Sequence, residues 1–130
     1  MTDSMQQFFA ARPQSVSQAR QFADRALKGW GRTGRAEDVR LCVSELTTNA
    51  VVHGTTRGHG FLLRIDFDDE VVGVEVHDSR RQQPQVRDAL ATDLAGRGLV
   101  LVAALADEWG IEDRRPIGKI VWSCFKAGSA

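Results

Sequence analysis

Three groups of residues in this chain have the types and spacing to handle an anionic or hydrogen-bonding ligand. The first is Glu45, Asn49 and His53. Steps of four residues set them in a line along a helix, at about 0°, 40° and 80° on a wheel of about 100° per residue. The apolar residues Val39, Cys42, Val43, Leu46 and Ala50 fall at about 60° to 160° on the same wheel. The polar line therefore runs along the rim of the buried face, where a carboxylate and an amide can face a cleft while partly shielded from water. A helix edge whose polar residues bond each other or solvent explains the pattern equally well. Zinc is a poorer match, because there is no HExxH and no second His at ligand spacing.

The second group is Asp78, at the end of the run Val72, Val74, Val76, Asp78. Strict period 2 puts the carboxylate on the side that the valines bury. An unpaired carboxylate there costs several kcal/mol. Either it is tied to a backbone N–H or an arginine, or it is a ligand-facing acceptor, suited to an exocyclic amine such as adenine offers. The third group is Gly96-Arg97-Gly98 ahead of an apolar helix. Glycines permit close backbone approach, and a helix N-terminus offers open N–H groups and partial positive charge, which suits phosphate. A tight loop-to-helix turn explains the same residues. Arg80, Arg81 and Arg87 precede it, either facing phosphates or solvated and offset by Asp88 and Asp93. Spacing assigns no role to Lys119.

Several elements must position these groups. Phe8-Phe9-Ala10 reads as a short lead-in strand. Ser15-x-x-Gln18 has the form of a capping box, and Val16, Ala19, Phe22, Ala26, Leu27 and Trp30 predict a helix over about Ser15 to Trp30. Thr33 is placed to cap a second helix, from about Arg35 to His53, with Glu37 and Asp38 in its first turn. Alternation over Gly60 to Phe67 and Val71 to Asp78 predicts an antiparallel hairpin turning at Asp68-Asp69. Ser79 to Ala95 reads as a loop. Gly96-Arg97-Gly98 opens a third helix, Leu99 to about Asp107, apolar nearly all round and so expected to be deeply buried. Trp109 to Arg114 and Lys119 to Lys126 form a second hairpin. Strands and helices do not strictly interleave, so the fold class is α+β: a two-layer sandwich rather than a doubly wound sheet.

Composition narrows the partners. The 130 residues suit one domain able to bury its own core. Lys plus Arg and Asp plus Glu both number 17, giving a net charge of zero, which argues against nucleic acid held through phosphates. The longest apolar run, Leu99 to Ala106, falls far short of the ~20 residues of a membrane span. The first residues lack the basic and apolar regions of a secretory signal. Cys42 and Cys124 have no metal-binding spacing and read as small hydrophobes in a reducing cytoplasm.

Taken together, the residues resemble one family. Ser44 to Gly54 (SELTTNAVVHG) is similar to the N box of the GHKL, or histidine kinase-like, ATPase fold. Val74 to Ser79 is similar to its first glycine box, and Gly96-Arg97-Gly98-Leu99 to its second. Trp30-Gly31, Leu105 to Gly110 and Gly118 to Trp122 resemble a subgroup: small single-domain serine kinases of the anti-sigma-factor type, abundant in actinobacteria. The likeness runs from about Phe8 to Phe125. It implies a Bergerat-type ATP-binding sandwich over residues 1–130, with a mixed, mainly antiparallel sheet and about three helices on one face.

That resemblance also implies roles. Asn49 would hold Mg²⁺ through its amide oxygen, Glu45 would act as general base, and Asp78 would accept from the adenine amine. Gly96, Arg97 and Gly98 would contact phosphates, and Leu99 would belong to the same ATP site. His53 belongs to the N box and would line the ATP site without being phosphorylated. The chain departs from the family pattern after Asp78, where Ser79-Arg80-Arg81-Gln82 replaces a DxGxG arrangement. The implied function is an ATP- and Mg²⁺-dependent protein serine/threonine kinase. It would phosphorylate a small STAS-type antagonist and so control release of a sigma factor. A homodimer fits the family, as does a cytoplasmic location without nucleic acid or membrane partners. One alternative is a nucleotide-gated binding module without phosphotransfer. Another is a degenerate fold acting by protein contact alone.

Overall fold

The computed structural model describes residues 2–54, 60–78, 94–113 and 118–126. In chain order the elements are β1 (Thr2–Ala10), α1 (Pro13–Trp30), α2 (Ala36–Asn49) with a π-helical turn (Ala50–Gly54), β2 (Gly60–Asp68), β3 (Val71–Asp78), α3 (Leu94–Leu105), β4 (Glu108–Asp113) and β5 (Lys119–Lys126). The five strands form one sheet in the order β1-β2-β3-β5-β4. All four of its ladders are antiparallel. Three helices pack on one face, giving the expected α+β sandwich.

The core follows from period 2 in the strands meeting period 3.6 in the helices. Phe61, Leu63, Ile65 and Phe67 of β2 and Val72, Val74 and Val76 of β3 are all buried. They meet Ala19, Phe22, Ala23, Ala26 and Leu27 of α1 and Val39, Cys42, Val43 and Leu46 of α2. Phe9 stacks on Phe61 with centroids 5.5 Å apart and meets Phe22 edge-on at 6.2 Å. Burial in hydrocarbon pushes the Cys42 thiol up to about 12, as expected of a packing cysteine. The opposite sheet face carries half-buried Asp66, Glu75, His77, Trp122 and Cys124.

Several local expectations are corrected. β1 spans nine residues rather than three. Its polar stretch is made a strand by register with β2, from Thr2↔Asp68 to Ala10↔Gly60, and not by a pattern of its own. Pro13 starts α1 before Ser15, because proline is preorganised for a first helical turn. Ser15 is therefore inside the helix, and its hydroxyl donates to the Ala10 carbonyl at 2.6 Å instead of capping. Gly31, at φ 67°, closes α1, with N–H bonds from Gly31 to Lys28 O and from Arg32 to Leu27 O.

Thr33 contributes only its carbonyl, to the Ala36 N–H; Arg35 holds the N-cap position of α2. α3 begins at Leu94, ahead of both glycines. It buries Leu99 and Val102 but exposes Val100, Ala103 and Ala104, because α2 covers one side of it only. The expected loop over 79–93 and the second-hairpin turn at 114–117 lie outside the described residues.

Candidate functional site

Two elements carry the polar residues singled out by spacing. On α2, Asn49 is 5% exposed and Glu45 is half-buried, which puts both on the rim of the packed face. Asn49 is the last α-helical residue, and the π-turn follows at once. Bonding of the i→i+5 type changes the angular step, so the α-helical line through Glu45 and Asn49 does not extend to His53. No side-chain hydrogen bond to Asn49 is found among the described residues. π-turns are frequent at functional sites.

On β3, Asp78 is 2% exposed and faces inward, as the valine alternation requires. Directly opposite it on β5 is Lys119, 1% exposed, with Nζ 3.4 Å from Asp78 Oδ2. Lys119 is the residue that spacing left without a role. The signal was present: it occupies the inward parity of β5, shared with Val121, Ser123 and Phe125. A lysine at an inward strand position needs a counter-charge, and the register supplies Asp78.

Topology brings the two elements together. Leu62 pairs with His77, so the start of β2 is level with the end of β3. Only residues 55–59 join the π-turn to β2, and the π-turn packs on both β2 and β3. The C-terminal end of α2, Asp78 and Lys119 therefore share one end of the sandwich. Its other end is closed by Arg35. The Arg35 guanidinium donates to Asp38 at 2.8 Å, to Asp107 at 3.0 Å and to the Leu105 carbonyl at 2.7 Å. The Lys126 N–H bonds Asp107 at 2.7 Å and, with Arg35, holds that carboxyl below its usual range.

The glycine-containing segment is placed differently from expectation. Gly96 and Arg97 fall in the first four residues of α3, whose N–H groups have no intrahelical acceptor. Gly98 and Leu99 fall beyond them, where N–H groups enter the helical ladder. The Leu99 side chain is fully buried in the core. The side chains of His53 and of residues 94–98 lie outside the described structure.

The donor set can be tested against a magnesium nucleotide. An amide oxygen is a hard donor that suits Mg²⁺, which is commonly held by one or two protein groups together with substrate phosphates. No cluster of three or more His, Cys, Asp or Glu residues that could hold a metal occurs among the described residues. Asn49 thus fits a cation whose remaining ligands come with a phosphate chain. A buried carboxylate on the same end fits an amine-bearing base.

Known proteins share this fold. The family described as histidine kinase-like ATPase domain matches residues 9–125. The chain belongs to that family, within the GHKL fold group. Among solved structures, it is similar to the histidine kinase domain of a blue-light-activated histidine kinase from Erythrobacter litoralis EL346, with TM-score 0.56 and 25% identity. The match covers 86% of this chain and 60% of that one, so this chain corresponds to less than two-thirds of that structure. No curated protein matches. No helix among the described residues is long and apolar enough to cross a membrane.

Proposed function

We propose that this chain binds Mg²⁺-ATP and is a regulatory protein serine kinase of the anti-sigma-factor type. Its substrate is a small STAS-type antagonist protein, its target a sigma factor, and it acts in the cytoplasm, with a second copy of itself as an expected partner. The observation that carries the reading is Asn49, 5% exposed where α2 gives way to the π-turn, at the same end of the sandwich as inward-facing Asp78, in a chain of the histidine kinase-like ATPase family.

In this reading Asp78 accepts from the adenine amine and Asn49 presents its amide oxygen to Mg²⁺. Bound Mg²⁺ supplies charge neutralisation on the phosphates. Gly96 and Arg97 offer the open N–H groups of α3 to the phosphate chain. Glu45, on the rim beside Asn49, takes the proton from the attacking serine hydroxyl as the phosphoryl group passes to it and ADP leaves.

A second reading is favoured by one observation: Asp78 is followed by Ser79-Arg80-Arg81-Gln82 and not by glycines. There the nucleotide shapes a partner surface and no phosphoryl group moves. Calorimetry with Mg²⁺-ATP tests what both share. Asn49→Ala should abolish the heat, Asp78→Asn should weaken ATP binding by roughly tenfold or more while leaving it measurable, and absence of heat from the wild type would remove both readings. Labelled ATP with a candidate antagonist then separates them. For the kinase, Glu45→Ala keeps ATP binding and loses label transfer; for the module, Glu45→Ala leaves partner control little changed.

A further inference from the structure

We infer that Lys119 sets the base selectivity of this site, by keeping Asp78 an ionised acceptor that takes a purine bearing an amine and turns away one bearing a carbonyl. The inference rests on the nucleotide reading above and adds to it a positioning residue.

Asp78 and Lys119 face each other across the β3–β5 ladder, on the inner side, at 2% and 1% exposure. Placed alone at such a depth, a carboxylate takes up a proton rather than hold its charge. The two forms recognise opposite partners. An ionised carboxylate only accepts hydrogen bonds, whereas a protonated one also donates. Adenine presents an amine at its 6-position; hypoxanthine presents a carbonyl there. The sign of recognition therefore depends on whatever cation is set against Asp78.

Lys119 of β5 is a cation so placed, with Nζ 3.4 Å from Oδ2. Phe61, next to Leu62 at the start of β2 and so level with the end of β3, is fully buried and carries no charge. On β3 itself, Glu75 and His77 point to the other sheet face and contact each other at 2.8 Å. A carboxylate has two oxygens and about four lone-pair sites, so the Oδ2 contact with Lys119 does not by itself fill its capacity to accept.

The test measures binding of ATP and of inosine triphosphate, each with Mg²⁺, to the full chain. The wild type, Lys119→Met, Asp78→Asn and the double variant are compared. The wild type should prefer ATP by about 100-fold or more, the range of sites built around one polar group. Lys119→Met should cut that preference by roughly tenfold or more. In the Asp78→Asn background the same lysine change should move the ratio little, because no ionisation is left to control. Infrared spectroscopy without nucleotide should show a protonated carboxyl in Lys119→Met that is missing from the double variant.

An unchanged ratio in Lys119→Met, or equal shifts in both backgrounds, overturns the role of Lys119. So does the absence of the protonated carboxyl, whether or not nucleotide binds. A wild type that binds neither nucleotide while the carboxyl band appears as expected instead overturns the nucleotide reading, and with it the selectivity. If Lys119→Met does not fold, Lys119→Gln, which keeps a donor without the charge, carries the same comparison.

Discussion

The two ends of the sandwich hold their charges in opposite ways. At the Arg35 end, one guanidinium meets Asp38, Asp107 and two carbonyls, and stacks over Phe125 at 5.4 Å. Its acidic partners are about a third exposed or more. At the Asp78 end, a single ammonium meets a carboxylate with almost no water access. The first arrangement is redundant and screened, so loss of any one contact is shared. The second is nearly dry, so little solvent softens a loss. Fastening belongs to the first end, and the proposed ligand-distinguishing site to the second.

This contrast is sharpest under substitution. Asp78→Ala leaves a buried ammonium without its counter-charge and should cost about 3 to 5 kcal/mol by urea unfolding. Arg35→Ala should cost less, about 1 to 2 kcal/mol, since its pairs are partly solvated. A larger loss for Arg35→Ala than for Asp78→Ala would reverse the comparison.

The pH dependence should separate the ends as well. Asp107 is held below the ordinary carboxylate range, first by the Lys126 N–H and then by Arg35. Its contribution is therefore present above the unfolded-state pKa of about 3.9 and is lost as pH falls through the native value. Arg35→Ala should lower stability at neutral pH and make the decline below about pH 4 shallower, as thermal unfolding across pH would record.

The smallest effect has the opposite sign. Burial, and then Glu75, raises the Asp66 pKa on the other sheet face. Ionised Asp66 thus costs stability as pH rises through its unfolded and then its native pKa. Asp66→Asn should stabilise the chain at pH 7 by roughly 0.5 kcal/mol. Destabilisation in that variant would mean that the Arg64 contact, 3.7 Å away, outweighs the desolvation.

Legibility in the sequence followed how local each cause is. The β2–β3 hairpin is readable because alternation reports burial directly, and it puts Asp78 on the inward side, where the structure has it. The Glu45–Asn49 rim was readable for the same reason on a helix. The full length of β1 was not, since Asp3 to Gln7 owe their conformation to the neighbouring strand. The start of α3 was missed because glycine discourages helix only by about 1 kcal/mol, which packing of Leu99 and Val102 overrides. Lys119 needed both strand parity and the β3–β5 register, and only the first is local.

One further feature has a practical use. On the face without helices, the Trp122 indole lies over Gly110 of the edge strand β4, so close that an added Cβ there would sit 2.7 Å from its ring. Trp30 is set against Phe67, and Trp109 packs on the core. The fluorescence of Trp122 is therefore a built-in reporter for fraying of the β4 edge, readable without a label once Trp30 and Trp109 are replaced by phenylalanine.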